Sequence, residues 1–359
     1  MALKQSTPVD AEIFGAAMRR LVEERGSLGR EQTCALVIAM LEQRLDKVQI
    51  AALLCAIAQK QETPDELAGA VDAIAARNPP ISLVPHKALN IGGTGGDRAG
   101  TFNISTTASL VVAASGVPVV KHGNKRMTSD SGSSDLVAAL GVDVDRSSQK
   151  TQIRQTLDAS GFAFVSTAAY YDIPASLCDV RRRIGIRCLF NLTGPLVHPA
   201  KVEFQLIGVA RPELLPLMAN TLAQLGGGPA YVVHGAGGLD EVSCLGETQI
   251  LGVRDGAIEA FTVGPEDFGV RTWTLSEVRG GSPLYNARIC EAVLAGERGA
   301  HRDATIVVAG AALVLAGKAS SFREAADMSS YALDSGRAVQ TLTRFKEAMH
   351  EAGQDLRDN

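Results

Sequence analysis

The chain contains Ala88-Leu89-Asn90-Ile91, then Gly93-Thr94-Gly95-Gly96-Asp97, and then Asn103-Ile104-Ser105-Thr106-Thr107-Ala108. The first stretch is a short apolar run typical of a strand, the second is a glycine-rich turn, and the third is typical of the opening of a helix. Glycines let backbone N–H groups approach phosphate oxygens closely, and a helix N-terminus favours an anion. This order of strand, glycine turn and helix start predicts an α/β fold that binds a phosphorylated small molecule.

A second loop of similar composition reads Lys121-His122-Gly123-Asn124-Lys125 and continues through Ser131-Gly132-Ser133-Ser134-Asp135. It follows residues 117–120, a second predicted strand, and it adds hydroxyl donors and a lysine charge that suit an anionic ligand. Ligands of parallel α/β sheets collect at the carboxyl ends of the strands. Because both loops follow strands, we expect them on the same rim of the sheet.

A third cluster, His234-Gly235-Ala236-Gly237-Gly238-Leu239-Asp240-Glu241, follows a predicted strand at residues 231–233. Taken alone, its two carboxylates are typical of a turn that opens a helix, where acidic side chains favour the helix dipole. Mg²⁺, however, usually takes one or two protein carboxylates together with substrate phosphates and water. With two phosphate-type loops predicted on the same rim, we predict that Asp240 and Glu241 hold Mg²⁺.

The composition narrows the class of protein. Of the 359 residues, 46% are apolar and 21% are charged, which allows a sizeable core and argues against disorder. The net charge is −4, the basic residues are scattered and aromatics make up only 4%, so a nucleic-acid-binding surface is not expected. The six cysteines include no C-x-x-C pair, which argues against a zinc site or a disulfide framework and favours a reducing compartment.

No segment predicts contact with a membrane. Near the N-terminus, Asp10, Glu12 and Arg19 interrupt any apolar signal core. The longest uncharged apolar run, residues 304–317, is too short to cross a bilayer. We therefore expect a cytoplasmic protein.

The pattern of the chain changes near residue 80. Residues 10–78 predict consecutive helices, one of them at about residues 30–44, and two segments that start at Asp46 and Thr63 have the form of a capping box. Asn78-Pro79-Pro80 then breaks the helical pattern. This break predicts a domain boundary.

Beyond the boundary, short apolar runs such as residues 204–209 alternate with helical stretches. Strands that alternate with helices are typical of a mostly parallel sheet. We therefore divide the chain into an N-terminal helical domain, residues 1–80, and an α/β domain, residues 81–359, that carries the phosphate-binding loops.

Neither glycine loop matches a general nucleotide-binding motif. Arg98 stands where the dinucleotide fingerprint needs its third glycine, and no G-x-x-x-x-G-K-[ST] segment occurs. The ordered motifs instead resemble the anthranilate phosphoribosyltransferase family along nearly the whole chain. The stretches that carry the resemblance are Gly93-Thr94-Gly95-Gly96-Asp97, Thr101-Phe102-Asn103-Ile104-Ser105-Thr106, Lys121-His122-Gly123-Asn124, Ser131-Gly132-Ser133-Ser134-Asp135, Phe190-Asn191-Leu192-Thr193-Gly194-Pro195-Leu196 and Gly238-Leu239-Asp240-Glu241.

The resemblance implies a pentosyltransferase of tryptophan biosynthesis. Such an enzyme moves the phosphoribosyl group of phosphoribosyl pyrophosphate to an aromatic amine, anthranilate, with Mg²⁺ as its cofactor. The resemblance also implies a small all-helical domain packed on the larger α/β domain, a helical segment near residues 170–190 that returns to the helical domain, and a homodimer.

The family's functional residues carry over to named positions of this chain. The residues expected to bind the donor are Gly93, Thr94, Gly95, Gly96, Asp97, Thr101, Asn103, Ser105, Thr106, Lys121 and Ser133. The residues expected to hold Mg²⁺ are Ser105, Asp240 and Glu241. The acceptor pocket is expected to be lined by His122, Asn124 and Arg181, with Arg181 facing the aromatic carboxylate because its planar donors match both oxygens. No catalytic residue is assigned, and His122 could either accept the proton of the amine or orient it.

The chain departs from the family pattern mainly on the acceptor side. Tyr171 replaces a histidine of the family. Asp172 brings a carboxylate near the expected place of the anionic acceptor, where like charge is unfavourable unless Asp172 points away or pairs with an arginine. Arg98 stands where the family has glycine. Lys125 replaces an arginine and His198 replaces an asparagine.

Three alternatives therefore stay open. The first keeps the donor chemistry but uses a different aromatic or heteroaromatic acceptor, because Tyr171 and Asp172 depart from the family motif. The second is a non-catalytic relative that binds nucleic acid, which the retained carboxylates and the net negative charge disfavour. The third is a pyrimidine nucleoside phosphorylase, whose lysine-and-serine loop pattern is missing.

Overall fold

The computed structural model of the chain describes residues 8–125 and 131–354. The parts of the two predicted domains at residues 1–7, 126–130 and 355–359 lie outside the described residues. The N-terminal helices are α1 (Pro8–Met18), continued by a π-helical turn (Arg19–Glu23), α2 (Arg30–Leu41), α3 (Lys47–Lys60) and α4 (Pro64–Arg77). The strands are β1 (Leu89–Gly93), β2 (Val119–Gly123), β3 (Phe162–Ser166), β4 (Phe204–Gly208), β5 (Ala230–Gly235), β6 (Thr248–Arg254) and β7 (Ala257–Val263).

The remaining helices lie between and after the strands. Those between strands are α5 (Ile104–Ala114), α6 (Ser133–Ala139), α7 (Val144–Ser147), α8 (Lys150–Ser160), α9 (Thr167–Tyr170), α10 (Ala175–Ile184), α11 (Leu189–Thr193) and α12 (Leu214–Leu225). Those after the last strand are α13 (Pro265–Phe268), a 3₁₀ turn (Leu275–Val278), α14 (Pro283–Leu294), α15 (Ala300–Leu315), α16 (Phe322–Asp334) and α17 (Arg337–Gln354).

Local side-chain hydrogen bonds start the helices where the sequence predicts them. The Asp46 carboxylate accepts from the backbone N–H of Gln49 at 2.9 Å, and the Gln49 side chain accepts from the backbone N–H of Asp46 at 3.0 Å. The Thr63 hydroxyl accepts from the backbone N–H of Glu66 at 3.3 Å, and the Glu66 carboxylate accepts in return at 2.9 Å. Both predicted capping boxes are thus confirmed, because each satisfies backbone donors that a helix start leaves open.

One helix end differs from its prediction. We predict the second helix over about residues 30–44, but α2 ends at Leu41. Gln43 has a backbone φ of 58°, in the left-handed region, and a residue there cannot continue a right-handed helix.

The strands form one seven-stranded sheet of order β3-β2-β1-β4-β5-β6-β7. The pairs from β3 to β5 are parallel, and β6 and β7 are antiparallel, so the predicted mostly parallel sheet is confirmed. Our prediction omits β3, β6 and β7. β6 and β7 are joined by the turn Asp255-Gly256, where both residues have the positive φ that a tight two-residue hairpin turn needs.

The two faces of the sheet carry different helices. One face packs on a core built from α5 and the C-terminal helices α14 to α17. The other face shares an apolar core with the N-terminal helices and with α10, α11 and α12. Here α10 packs against α3, and α11 packs against α4. The rim above β1, β2, β4 and β5 therefore lies at the edge of both cores. In the part of the chain that the structure describes, no helix meets the length and apolarity needed to span a bilayer.

Candidate active site

The first glycine loop is tied to the acidic cluster that follows β5. The backbone N–H of Gly95 donates to Oδ2 of Asp240 at 2.7 Å. A Cβ atom at Gly93 would clash with the same carboxylate, and one at Gly208 would clash with the backbone carbonyl of Asp240. The ends of β1 and β4 thus need glycine because the Asp240 segment crosses them in direct contact. The structure brings these two predicted segments together.

Lys121 lies beneath this cluster on β2. Its Nζ donates to the backbone carbonyl of Ile91 at 2.7 Å and to the hydroxyl of Ser105 at 3.1 Å. Its side chain is almost fully buried, and burial lowers the pKa of the ammonium to about 8, while the nearby Glu241 and Asp240 carboxylates act in the opposite direction. Lys121 is therefore a fixed cation beside two acids.

Asp240 and Glu241 are buried carboxylates, and Asp97 adds a third carboxylate that repels them. Burial raises the pKa of Asp240 to about 7, with a further rise from the Asp97 carboxylate. Burial raises the pKa of Glu241 to about 8, with a further rise from Asp240, partly offset by Lys121 and by a hydrogen bond to Ser105. Oε2 of Glu241 is buried and has no hydrogen-bond partner among the described residues.

This donor set fits Mg²⁺. It offers oxygen ligands, which the ion prefers, and it includes a carboxylate oxygen with no partner in the described part of the chain, beside a second carboxylate. A divalent cation would also offset the repulsion among the carboxylates, which adds to the effect of burial on both pKa values. Asp240 and Glu241, with the Ser105 hydroxyl beside them, are the residues that would hold it.

The side-chain amide of Asn103 makes hydrogen bonds within the protein. Its Oδ1 accepts from Nδ2 of Asn286 at 2.9 Å and from the hydroxyl of Ser131 at 3.2 Å, and its Nδ2 donates to the Ser131 carbonyl at 3.1 Å. Oδ1 of Asn286 in turn accepts from the backbone N–H of Gly281 at 2.7 Å. Asn286 on α14 therefore ties the start of α5 to the Gly281 turn, while Asn103 itself ties it to the second glycine loop. Sequence reasoning assigned Asn286 no role.

The other predicted donor residues lie around the same rim. Thr94 accepts from the backbone N–H of Ala210 at 3.3 Å, while Gly95 and Gly96 have positive φ and open space around them. Three further residues, Thr101, Thr106 and Ser133, lie on the loops and helix starts that follow β1 and β2. Thr101 makes an isolated β-bridge to Arg279, Thr106 on α5 has a buried hydroxyl without a partner among the described residues, and Ser133 starts α6 with its hydroxyl over Gly123.

His122 leaves β2 on the face opposite to Lys121, because successive strand residues alternate. Its Nε2 lies 3.1 Å from the carbonyl oxygen of Gly194, directly after α11. Its Nδ1 is buried without a partner among the described residues. Burial holds the pKa of His122 well below its usual value, assisted by His198 and Lys121. The ring is therefore neutral at neutral pH.

Arg181 is half-buried on α10. Its guanidinium carbon lies 5.4 Å from the ring centroid of Phe190 on α11, and its Nε is buried without a partner among the described residues. Its neighbours Arg182 and Arg183 are exposed and pair with Asp179. The segment formed by α11 and Gly194 therefore contacts both Arg181 and His122, two of the three residues predicted to line the acceptor pocket.

Asn124 directly follows the last residue of β2 and is exposed. Its side-chain oxygen accepts from the hydroxyl of Thr167, and its backbone carbonyl accepts from the backbone N–H of Ser134 at 3.1 Å. The residue therefore links β2 to the segments that begin α6 and α9. It lies two positions from His122, on the same strand end.

Asp172 pairs with an arginine at the surface, which is the condition under which its charge does not oppose an anionic acceptor. The side chain of Asp172 is 80% exposed and accepts from Arg77 at 2.7 Å. Arg77 lies in the last turn of α4, far along the chain from Asp172, and it holds the carboxylate at the surface. Tyr171 has the opposite environment, because its ring belongs to the apolar core and its hydroxyl is buried without a partner among the described residues. Burial raises the pKa of that hydroxyl.

Comparisons with known proteins agree with this architecture. Residues 10–77 match the model described as glycosyl transferase family, helical bundle domain, and residues 86–339 match glycosyl transferase family, a/b domain. The anthranilate phosphoribosyltransferase of Methylocella silvestris is 42% identical over 85% of this chain and 86% of its own length. That of Anaeromyxobacter sp. is 40% identical over 92% of this chain and 96% of its own length.

Solved structures give the same result. The crystal structure of the anthranilate phosphoribosyltransferase from Thermus thermophilus is 34% identical, with a TM-score of 0.86 over 93% of this chain and 99% of that one. The Saccharomyces cerevisiae enzyme in complex with PRPP and Mg is 25% identical, with a TM-score of 0.87 over 95% of this chain and 98% of that one. This chain therefore belongs to the anthranilate phosphoribosyltransferase family.

Proposed function

We propose that the protein transfers the phosphoribosyl group of phosphoribosyl pyrophosphate to anthranilate and releases pyrophosphate, as a step of tryptophan biosynthesis. The observation that supports this most is the division of polar groups between the two faces of β2. Lys121 points to the carboxylate cluster on one face, and His122 points towards the segment that also contacts Arg181 on the other. An anionic donor and an aromatic acceptor would meet at the rim between them.

The donor half supplies electrostatic stabilisation. Breaking the bond between the anomeric carbon and the diphosphate builds positive charge on the ribose and negative charge on the leaving group. Mg²⁺ bound by Asp240 and Glu241 would supply Lewis-acid stabilisation of the departing diphosphate. Lys121 adds a cation that its hydrogen bonds to Ile91 and Ser105 already hold in place. The open glycine turn at Gly95 and Gly96 leaves room for phosphate oxygens against the backbone.

The acceptor half supplies orientation. An arylamine is neutral and weakly nucleophilic, so holding it in line with the anomeric carbon provides much of the rate. The Nε of Arg181, which has no partner among the described residues, and its planar fork suit the aromatic carboxylate, and the guanidinium lies over the ring of Phe190. His122 would contact the amine. Asp172, held at the surface by Arg77, does not oppose an anionic acceptor.

A fluorescence assay tests this proposal. The protein is incubated with Mg²⁺, phosphoribosyl pyrophosphate and anthranilate, and the loss of anthranilate fluorescence is followed. Turnover that needs all three components is expected. Calorimetry in magnesium buffer is the companion measurement, and a protein that binds neither the donor nor pyrophosphate would refute the donor chemistry.

A second candidate is the same donor chemistry on a different aromatic or heteroaromatic acceptor. Tyr171 favours it, because a buried hydroxyl replaces the histidine of the family and has no partner among the described residues. A screen of aromatic amines and heteroaromatic bases by pyrophosphate release separates the two candidates. A better specificity constant for another acceptor than for anthranilate would favour this second candidate.

We further propose a homodimer in the cytoplasm, with the domain division near residue 80. The division is supported by Asn78, the residue at which α4 ends. It is also supported by the two family models, of which one ends at residue 77 and the other begins at residue 86. Light scattering on the purified protein measures the oligomeric state, and limited proteolysis near residues 78–85 tests the boundary. A monomer at micromolar concentration would contradict the dimer.

A further inference from the structure

His198 packs against His122 inside the acceptor half of the site. The two ring centroids lie 4.8 Å apart and the ring planes are inclined by 84°, an edge-to-face contact. His198 stands where the family pattern has asparagine, so this ring pair is a feature of this chain. An edge-to-face contact restricts rotation of the His122 ring, because turning it would drive its edge into the neighbouring ring.

His198 is itself fixed to the backbone on both sides. Its Nε2 lies 3.0 Å from the carbonyl oxygen of Val120, and its Nδ1 lies 3.0 Å from the backbone nitrogen of Ala200 and 2.7 Å from the Ala200 carbonyl oxygen. Burial lowers the pKa of His198 to about 4, so the ring is neutral. In a neutral ring with its proton on Nε2, Nε2–H donates to the Val120 carbonyl and Nδ1 accepts from the Ala200 N–H. With the proton on Nδ1, Nδ1–H donates to the Ala200 carbonyl instead, so either tautomer keeps the ring fixed to the backbone.

The tautomer of His122 follows from the same reasoning. The Gly194 carbonyl can only accept, so Nε2 of His122 carries the hydrogen and Nδ1 carries the lone pair. That lone pair is buried and has no partner among the described residues. A buried acceptor without a donor is costly in a free protein, and it becomes favourable once a ligand N–H reaches it.

We propose that His198 is a positioning residue, which anchors to β2 at Val120 and holds the His122 ring so that its Nδ1 lone pair is available to the acceptor amine. This inference rests on the proposed function and deepens its acceptor half. Val120 and His122 lie on the same strand, so the anchor and the positioned ring share one rigid element.

In the transfer step, the amine lone pair forms the bond to the anomeric carbon, and the bond from that carbon to the diphosphate breaks with its electron pair on oxygen. The product nitrogen then carries an extra proton, which passes to Nδ1 of His122. The imidazolium that forms returns the proton to solvent. No group is oxidised or reduced, and the atoms and charges balance.

The charged and titratable groups around His122 keep it neutral before the step. Burial has the largest effect on its pKa, and His198 on one side and Lys121 on the same strand lower it further. The hydrogen bond to the Gly194 carbonyl acts in the opposite direction. A neutral ring below pH 7 is what a proton acceptor needs.

Ring ¹⁵N spectra of the full-length protein labelled at histidine test the positioning without any substrate. In the unsubstituted protein, His122 is expected to carry its proton on Nε2 and to remain neutral at pH 6.5, the usual pKa of histidine. His198→Ala is expected to give a mixture of His122 tautomers, and His198→Asn, the residue of the family, an intermediate result. His86→Asn is the matched control, because His86 pairs with Asp158 outside this cluster. A proton on Nδ1 in the unsubstituted protein would overturn the proposal.

Kinetics separate positioning from packing. His198→Ala is expected to lower kcat roughly 10- to 100-fold, as a misplaced reacting group does, and to move the acid limb of the pH profile to higher pH, while KM for the donor stays within about twofold. His198→Asn should recover part of the loss. Unchanged kcat and pH profile in a folded His198→Ala protein would overturn the proposal. An unsubstituted protein that fails to turn over anthranilate would refute the proposed function instead, and the spectra would still decide the tautomer.

Discussion

The backbone N–H of Gly95 donates to Oδ2 of Asp240 at 2.7 Å, across a separation of 145 residues. This bond joins the glycine loop after β1 to the carboxylate pair after β5. It sets one carboxylate oxygen of Asp240 against the backbone and places the neighbouring Glu241 beside Lys121. One contact between two distant loops thus brings the phosphate-type turn and the acidic cluster to the same point of the rim.

Replacing both acids, Asp240→Asn with Glu241→Gln, should abolish turnover and leave the fold intact. The amide introduced at position 240 can still accept from the Gly95 N–H, but neither new amide offers Mg²⁺ a charged ligand. Turnover in saturating Mg²⁺ and circular dichroism measure the two effects. Glu297→Gln is the control, because Glu297 is exposed. Activity that survives in the double variant would remove these residues from the metal site.

Arg181→Ala should raise KM for the acceptor with little change in donor binding. A hydrogen bond to a charged group contributes about 1.5–3 kcal/mol, which corresponds to roughly a 10- to 150-fold loss. The exposed neighbour Arg182, changed to alanine, is the matched control and should leave KM unaltered. Steady-state kinetics with each substrate varied in turn gives the answer. An effect confined to the donor would contradict the assignment of Arg181.

Arg98→Gly should stabilise the protein. Arg98 has a backbone φ of 56°, in the left-handed region that costs a residue with a Cβ atom about 1 kcal/mol. Glycine removes that cost, although its greater freedom in the unfolded chain offsets part of the gain. Urea unfolding of Arg98→Gly and Arg98→Ala measures the change in the free energy of unfolding. Only the glycine variant should be more stable than the unsubstituted protein. Equal stability of the two variants would show that the backbone at this position is unstrained.

The stability of the protein should fall between pH 6.5 and pH 4, in part through His198. Burial lowers its folded-state pKa to about 4, below the usual value of 6.5. Between these values the unfolded chain binds more protons, so the free energy of unfolding rises with pH and is lost as the pH falls. For His198 the loss is about 3 kcal/mol at most.

Urea unfolding at several pH values checks this dependence. His198→Asn removes the titrating group, so its stability should fall less steeply between pH 6.5 and pH 4 than that of the unsubstituted protein. His86→Asn again serves as the control, since His86 pairs with a carboxylate at the surface. Parallel curves for His198→Asn and the unsubstituted protein would show that His198 titrates normally.

Sequence alone predicted the elements that short-range interactions decide. The capping boxes at Asp46 and Thr63, the glycine turn after β1 and the mostly parallel sheet all follow from neighbouring residues or from regular spacing. The sequence analysis did not predict the strands β3, β6 and β7. Apolar runs of that length do not by themselves distinguish a strand from a buried helix, and the Asp255-Gly256 turn was overlooked.

The amino-acid sequence by itself determined which chemistry this protein carries: two glycine loops, a lysine, a pair of acids and one arginine in a basic run. Only the tertiary structure decided how these groups are used. It turned Asp172 outwards onto Arg77, paired the amide of Asn103 with Asn286, and set His198 against His122. The physical reason is that hydrogen bonds and ion pairs act over a few ångströms, so a side chain's partner is fixed by folding and not by its distance along the chain.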